Sequence, residues 1–206
     1  METKEMTGVI RAMGDRLIAE KDFLTELDNV IGDGDHGINM ARGFKAVEDK
    51  LPGLEDKDAG TLLKSVGMTL VSTVGGASGP LYGTAFMKAG MAMTGKTQIT
   101  MEDFLVCMDE AAGGVAMRGK AVKGEKTILD ALIPATEAMK AAHSEGQTDK
   151  DVIACGVKAA REGVEYTKTI IATKGRASYV GERSLGHQDP GATSTLYMLE
   201  AIAESL

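Results

Sequence analysis

The chain has no run of basic residues and no long apolar run. Its 206 residues include 30 acidic and 23 basic side chains, which gives a formal net charge of −7 at pH 7. Such a surface is a poor partner for nucleic acid. No apolar run approaches the roughly 20 residues of a membrane-spanning helix. The segment Met1–Glu5 lacks the basic start and apolar stretch of a signal peptide. The composition predicts a cytoplasmic protein with neither nucleic acid nor membrane as partner.

Cysteine and aromatic residues are also scarce. The two cysteines, Cys107 and Cys155, lack the spacing of metal ligands, which is typical of small buried residues in a reducing compartment. There is no Trp, and there are only four Phe and four Tyr, so a bound planar ring would mostly meet aliphatic side chains and Met. Nothing in a chain of this length requires a second core, so residues 1–206 are predicted to form one domain.

Apolar residues return every three or four positions along almost the whole chain, and no segment reads as a convincing β-strand. The sequence therefore predicts an all-α fold. A capping box at Thr100 and Asp103 marks one helix start. Two others are marked by Thr148 and by Asp189 before Pro190. The predicted helices cover Glu5–Glu20, a short segment before residue 32, Gly37–Lys50, Ala59–Val74, Pro80–Met93, Met101–Arg118, Thr127–Ser144, Asp149–Thr173 and Pro190–Glu204.

Many of the glycines lie in the connectors between these helices. Long helices joined by short loops run antiparallel, so alternate connectors lie at the same end of a bundle. Four connectors are expected to converge at one end, where polar loops can build a ligand site. They are the aspartate-rich segment Leu27–Asn39, Gly75–Gly83, Gly119–Lys126 and Gly175–Gly191.

The segment Leu27–Asn39, called the aspartate loop below, carries three aspartates and three glycines. Carboxylates held close together repel one another and are costly to remove from water unless a positive charge lies between them. Oxygen ligands select a hard cation, and Mg²⁺ typically takes its remaining ligands from water and substrate phosphates. The aspartate loop therefore predicts a site for a metal-bound phosphate compound.

Two other interpretations of this loop are weaker. Gly32, Gly34 and Gly37 form a G-x-G-x-x-G pattern. A dinucleotide fingerprint follows a β-strand, however, and the intervening carboxylates would repel a pyrophosphate. An EF-hand loop that starts at Asp33 would need Glu at its twelfth position, which is Phe44. A calcium site is therefore not expected.

The other connectors offer groups that suit a nucleotide. Gly75–Gly83 places small residues and a hydroxyl before a helix start, where backbone N–H groups bind anions. Asp189–Gly191 is a second helix start, although it also fits a simple cap. Arg118, Lys120 and Arg176 are candidates for contacts with phosphate or ribose oxygens, although isolated basic residues are usually solvated. No nucleophile is paired with a His, so no catalytic residue is predicted.

Several motifs follow one another along the chain: Asp28, Ile31–Gly37 with Asn39, Gly75–Pro80, Gly124–Thr127 and Arg183–Ala192. Together they resemble the nucleotide-binding L subunits of bacterial dihydroxyacetone kinases over nearly the whole chain. This resemblance implies an antiparallel eight-helix barrel or bundle with ADP and two Mg²⁺ ions at one end. It makes Asp28, Asp33 and Asp35 the magnesium ligands. The residues that it places against the nucleotide are His36, Gly37, Ile38, Asn39, Ala77, Ser78, Gly119, Ile128, Arg176, Asp189, Pro190 and Gly191.

The resemblance further implies the phosphotransferase-system form of the kinase, in which ADP/ATP stays bound as a coenzyme. A phosphohistidine on an M subunit would rephosphorylate ADP in place. The γ-phosphoryl group would then pass to dihydroxyacetone on a K subunit, giving dihydroxyacetone phosphate. Two alternatives stay open: the L subunit of an ATP-dependent kinase for dihydroxyacetone or a related short ketose, and a regulatory nucleotide-binding module that engages a transcription regulator. A homodimer also stays open.

Overall fold

The computed structural model describes all residues, Met1–Leu206, and contains helices but no β-sheet. The nine α-helices are α1 Thr3–Ala19, α2 Lys21–Ile31, α3 His36–Glu48, α4 Ala59–Thr73, α5 Ser78–Ala92, α6 Met101–Gly119, α7 Leu129–Ser144, α8 Asp149–Thr167 and α9 Pro190–Glu204. Two 3₁₀ segments cover Leu51–Gly53 and Arg176–Ser184. None of the helices combines the length and the apolar character that crossing a bilayer requires. The predicted all-α fold is confirmed.

Eight of the nine helices form a closed ring. Helix α1 packs on α3, each helix from α3 to α8 packs on the next, and α9 packs back on α1. The connectors alternate between two ends. Met1 donates a hydrogen bond to the carbonyl of Ile99 at one end, and Tyr82 donates one to the carbonyl of Gly191 at the other. The short helix α2 lies at this second end, against α3, α9 and residues 176–184. The predicted antiparallel eight-helix barrel is confirmed, with α2 as an additional element.

The largest difference from the predicted helix ends is in α8, which stops at Thr167 instead of Thr173. The carbonyl oxygens of Thr167 and Ile170 accept hydrogen bonds from the buried ammonium group of Lys126, at 2.6 and 3.3 Å. These carbonyls therefore have a partner outside the helix, and the chain turns away after Thr167. Lys126 is about 40 residues away in sequence, so the local pattern around α8 gives no sign of this ending.

The barrel has no helix along its axis. An apolar cavity of about 770 Å³ lies inside it. Aliphatic, Met and Phe side chains from several helices form its wall, among them Met6, Ile10, Phe104, Leu132 and Met198. None of the three aspartates of the aspartate loop borders the cavity. The cavity nevertheless reaches the polar end, because Tyr82, Ile128 and Thr195 are among the residues that line it.

Helices α4 and α5 approach each other through glycines. A Cβ atom added at Gly67 would lie 2.6 Å from the carbonyl oxygen of Gly83, and one added at Gly60 would lie 2.7 Å from that of Gly90. Both distances are far below ordinary van der Waals contact and involve backbone atoms, and at Gly67 the side-chain Cγ of Met87 would also lie 2.6 Å away. The pair therefore packs backbone against backbone, which no larger residue permits.

We expect Gly67→Ala to destabilise the protein by about 1–3 kcal/mol, because overpacking a close contact outweighs the better helix propensity of Ala. Gly113→Ala in α6 is the matched control, since an added Cβ there meets nothing within 4 Å. This control is expected to raise the free energy of unfolding by up to about 1 kcal/mol. Urea unfolding of the nucleotide-free proteins measures both. Equal stability of the two variants would contradict the close approach of α4 and α5.

Candidate functional site

The aspartate loop joins α2 to α3 and brings its three carboxylates together. Asp28, in the last turn of α2, is buried, and its Oδ2 accepts hydrogen bonds from the backbone N–H groups of Asp35 and His36 at 2.8 and 3.1 Å. One ligand oxygen from each of Asp28, Asp33 and Asp35 lies within 4.8 Å of the other two. The bonds to Oδ2 hold the Asp28 carboxylate in place and leave its Oδ1 for another partner.

A glycine makes room for that carboxylate. A Cβ atom added at Gly32 would lie 2.0 Å from Asp28 Oδ1, so only glycine fits beside it. The one basic partner of the cluster is Arg176, whose Nη2 lies 3.0 Å from Asp33 Oδ2. One guanidinium against three carboxylates leaves a net negative charge. An all-oxygen donor set of this charge fits a hard divalent cation such as Mg²⁺.

The His36 side chain connects the starts of α3, α5 and α9. Its Nδ1 lies 3.1 Å from Ser78 Oγ, and its Nε2 lies 2.9 Å from Ser194 Oγ. Burial lowers the pKa of His36 to about 4, against the opposing effect of Asp35. The ring is therefore neutral at pH 7, and both nitrogens are engaged by hydroxyl groups. His36 orients Ser78 and is not arranged to act as a nucleophile or general base.

Two helix starts at this end lack a cap from their own N-cap side chain, although Asp28 accepts from the first N–H group of α3. The N-cap residues are Asp35 for α3 and Ala77 for α5, and neither side chain accepts a hydrogen bond from its helix. First-turn N–H groups have no partner within their own helix, and they carry the positive end of the helix dipole. In contrast, Asp189 caps α9 by accepting from Ala192 N at 2.7 Å. The uncapped starts of α3 and α5 are suited to phosphate oxygens.

The remaining predicted nucleotide contacts border the same end of the barrel. Asn39 is buried beside Gly75, and its Oδ1 accepts from Arg42 Nη2 at 2.6 Å. Ile128 is buried against Gly191, whereas Ile38 is half exposed.

Two further predicted contacts, Asp189 and Gly119, differ in how they are held. Burial raises the pKa of Asp189 to about 7, while the N–H group of Ala192 and the charge of Lys126 lower it. Pro190, the first residue of α9, is buried next to Asp189. Gly119 ends α6, and the nearest atom to an added Cβ there belongs to Leu81 at the start of α5. Gly119 has no side chain, and its contact with Leu81 does not connect it to the carboxylate cluster.

Sequence reasoning missed two residues that hold the site. Ser194 Oγ lies between His36 and Tyr82, 2.7 Å from the phenol oxygen. Burial raises the pKa of Tyr82, against hydrogen bonds from Ser194 and Thr195, so the phenol stays neutral and can donate to the carbonyl of Gly191. The signal available was three consecutive hydroxyl residues, 193–195, at the start of an otherwise apolar helix.

The fold and the site together define a class: an all-α barrel that carries, at one end, a carboxylate cluster and uncapped helix starts suited to a metal-bound phosphate compound. Residues 30–204 match the family described as the DAK2 domain, and the chain belongs to this family. The family predicted from the sequence motifs is confirmed.

Relatives of known assignment cover most of the chain. It is 45% identical to the ADP-binding subunit of the PEP-dependent dihydroxyacetone kinase of Escherichia coli K12, over 92% of this chain and 90% of the relative. It is 42% identical to the ADP-binding subunit of the PTS-dependent kinase of Lactococcus lactis, over 92% and 91%. These relatives agree with the predicted PEP-dependent form and not with the ATP-dependent alternative.

Solved structures of the dihydroxyacetone kinase of C. freundii share the fold. The native form aligns with a TM-score of 0.76 and 26% identity, and the complex with AMP-PNP and Mg²⁺ aligns with 0.73 and 25%. Each alignment covers 97% of this chain but only about a third of the longer kinase chain.

Proposed function

We propose that this chain is the ADP-binding subunit of a phosphoenolpyruvate-dependent dihydroxyacetone kinase, a phosphotransferase that is incomplete without its partner subunits. ADP bound with two Mg²⁺ ions is rephosphorylated in place by a phosphohistidine on an M subunit. The phosphoryl group then passes to dihydroxyacetone on a K subunit. The observation that carries the proposal is the cluster of three carboxylates, within 4.8 Å of one another, beside two uncapped helix starts.

Each part of this end has a role in phosphoryl transfer. Asp28, Asp33 and Asp35 would hold the metal, which supplies charge neutralisation at the phosphates. The N–H groups that stay free in the first turns of α3 and α5 would donate to the phosphate oxygens. Ser78, oriented by His36, adds a hydroxyl at the same place. Positioning and electrostatic stabilisation account for most of the catalysis in such transfers.

Donor and acceptor groups come from the partner subunits. The His36 ring is neutral and engaged on both nitrogens, so this chain supplies no phosphohistidine of its own there. Apolar side chains are exposed in the segments at this end, and exposed apolar side chains are typical of surfaces that bind other proteins. They include Ile38 at 50% exposure, Val122 at 64% and Tyr179 at 84%. A transcription regulator or a second copy as partner, and a cytoplasmic location, stay predictions.

The nucleotide is proposed to remain bound through many turnovers. The segment 168–189, called the strap below, runs from the end of α8 to the cap of α9 and reaches the aspartate loop through the ion pair of Arg176 with Asp33. The nucleotide would lie beneath it, with the adenine near the apolar side chains of Ile38 and Ile128. Covering segments of this kind gate release.

Loading the protein with radiolabelled ADP tests the proposal. We expect the purified protein to carry ADP and Mg²⁺, and the label to stay bound during a chase with unlabelled ATP. With K and M subunits and a phosphoenolpyruvate-driven extract, dihydroxyacetone phosphate should form without added ATP. A reaction without the M subunit is the control. If the label is lost within one turnover, and ATP and the K subunit suffice for activity, the nucleotide is an exchanging substrate and not a bound coenzyme.

A further inference from the structure

Lys126 is a charged side chain buried in an unusual way. Only 1% of its surface is exposed, and its Nζ, which carries three N–H donors, lies within hydrogen-bond distance of four backbone carbonyl oxygens. The distances are 2.6 Å to Thr167, 2.6 Å to Ser184, 2.6 Å to His187 and 3.3 Å to Ile170. No carboxylate lies within ion-pair distance of this ammonium. A buried cation that is held only by carbonyl oxygens resembles an ion in a backbone cage more than a salt bridge.

These carbonyls lie at the two ends of the strap, Thr167 being the last residue of α8 before it. Thr167 and Ile170 lie where the strap leaves α8, and Ser184 and His187 lie just before the cap of α9. One ammonium group therefore joins the start of the strap to its finish. The N–H group of Gly186 also donates to Lys168 O at 2.8 Å. Asp189 N also donates to Thr167 Oγ1 and Ala172 N to Ser184 Oγ, at 3.0 Å each, and Lys126 is the side chain that contacts both ends of the strap at once.

The backbone conformation around Lys126 directs its side chain toward these carbonyl oxygens. Lys126 has φ +63°, a left-handed conformation that favours glycine. Asp130 fixes the turn by accepting from the N–H groups of Gly124 at 2.5 Å and Thr127 at 2.8 Å. A lysine at a position where glycine is favoured indicates that its side chain is needed there. Burial lowers the pKa of Lys126, and the nearby Asp189 and Asp130 carboxylates oppose that effect.

We propose that Lys126 is a positioning residue that clamps the base of the strap and thereby sets how slowly the bound nucleotide leaves. The ammonium acts on the nucleotide only through the strap, whose Arg176 reaches the carboxylate cluster at Asp33. This inference rests on the proposed function, since it needs a nucleotide beneath the strap. It adds that nucleotide retention depends on a cation held by carbonyl oxygens at the two ends of the strap.

The test compares variants of the full-length protein by two measurements. Lys126→Met keeps approximately the length of the side chain and removes its charge. Lys126→Ala removes the side chain beyond Cβ and leaves the four carbonyl oxygens without the ammonium group. Lys123→Met, an exposed lysine of the same loop that lies 3.4 Å from Glu137, is the matched control. The first measurement is the dissociation rate of a fluorescent ADP analogue with Mg²⁺. The second is the rate of tryptic cleavage within the strap, at Lys174 and Arg176, without nucleotide.

We expect both Lys126 variants to release the analogue at least about tenfold faster, since they lose charge-assisted hydrogen bonds that hold the strap. Tryptic cleavage of the strap should accelerate in parallel, and Lys123→Met should match the wild type. In Lys126→Ala, n-propylammonium should restore slow release in a saturable way, because it replaces the missing atoms and N–H donors. Tetramethylammonium, which has no N–H group, should not.

Wild-type release and cleavage rates in a folded Lys126→Met protein would overturn the proposal, as would the absence of rescue by n-propylammonium. Should Lys126→Met fail to fold, Lys126→Ala prepared in n-propylammonium and then diluted gives the same comparison. A wild-type protein that binds no nucleotide would refute the proposed function. The cleavage rates would then still decide whether Lys126 clamps the strap.

Discussion

Asp35→Asn is expected to lower the rate of phosphoryl transfer by a factor on the order of 1000, because it removes a metal ligand where charge must be neutralised in the transition state. Asp35 is the best of the three positions for this change. Its side chain does not cap α3, whereas Asp28 accepts two backbone hydrogen bonds and Asp33 pairs with Arg176. A loss of activity at Asp35 can therefore be assigned to the metal site.

The measurement is the formation of dihydroxyacetone phosphate in the reconstituted system, with circular dichroism as a check of the fold. Asp22→Asn is the matched control, since Asp22 lies on α2 with its side chain 95% exposed and an ion pair only to Lys21. It should retain wild-type activity. If the folded Asp35→Asn protein also retains full activity, the carboxylate cluster does not hold a catalytic metal.

The second large effect is on thermal stability. A ligand that binds only the folded state stabilises it by about 4 kcal/mol at a thousandfold excess over its dissociation constant. For a chain of this size that corresponds to a rise in melting temperature on the order of 10 °C. We therefore expect Mg²⁺ with ADP to raise the melting temperature of the wild type by this amount, and EDTA to reverse the rise.

Asp35→Asn separates metal binding from loop structure in the same experiment. In EDTA the variant should melt no lower than the wild type, because it removes one of three mutually repelling carboxylates. With Mg²⁺ and ADP it should lose most of the stabilisation. Calorimetric melting curves in the four conditions give the answer. A variant that responds to EDTA as the wild type does would mean that the aspartates serve only to shape a polar loop.

Local signals predicted the helices well. The box at Thr100 and Asp103 and the caps at Thr148 and Asp189 are all present, since each depends on residues within one turn. The predicted end of α8 was wrong by about a turn and a half, because the ammonium group of Lys126, which donates to the carbonyl oxygens of Thr167 and Ile170, comes from a distant segment. Long-range hydrogen bonds of this kind do not change the periodicity of apolar residues in the local sequence.

The part of the candidate site that could be predicted from sequence is the set of carboxylates, because clustered carboxylates require a positively charged partner. Three aspartates and three glycines in one short loop are hard to explain by burial, so the carboxylate cluster follows from sequence. Ile128 could not be found this way, because a buried Ile next to a helix start looks like any core residue. Ser194 was missed because its role depends on His36, far away in sequence. Contacts across the barrel end are set by the ring of helices, which local patterns do not encode.

The closed ring also orders the events of folding. Seven of its eight interfaces join helices that follow one another along the chain when α2 is left out. Contacts between segments close in sequence form quickly. The seam between α1 and α9 joins residues far apart in sequence, such as Arg16 and Glu200, which are 184 positions apart and linked by a hydrogen bond from Arg16 Nη2 to Glu200 Oε2 at 3.0 Å. Closing it carries the largest loop entropy in the molecule. The barrel should therefore assemble first as an open curved row of helices, and the α1–α9 seam should form last and open first.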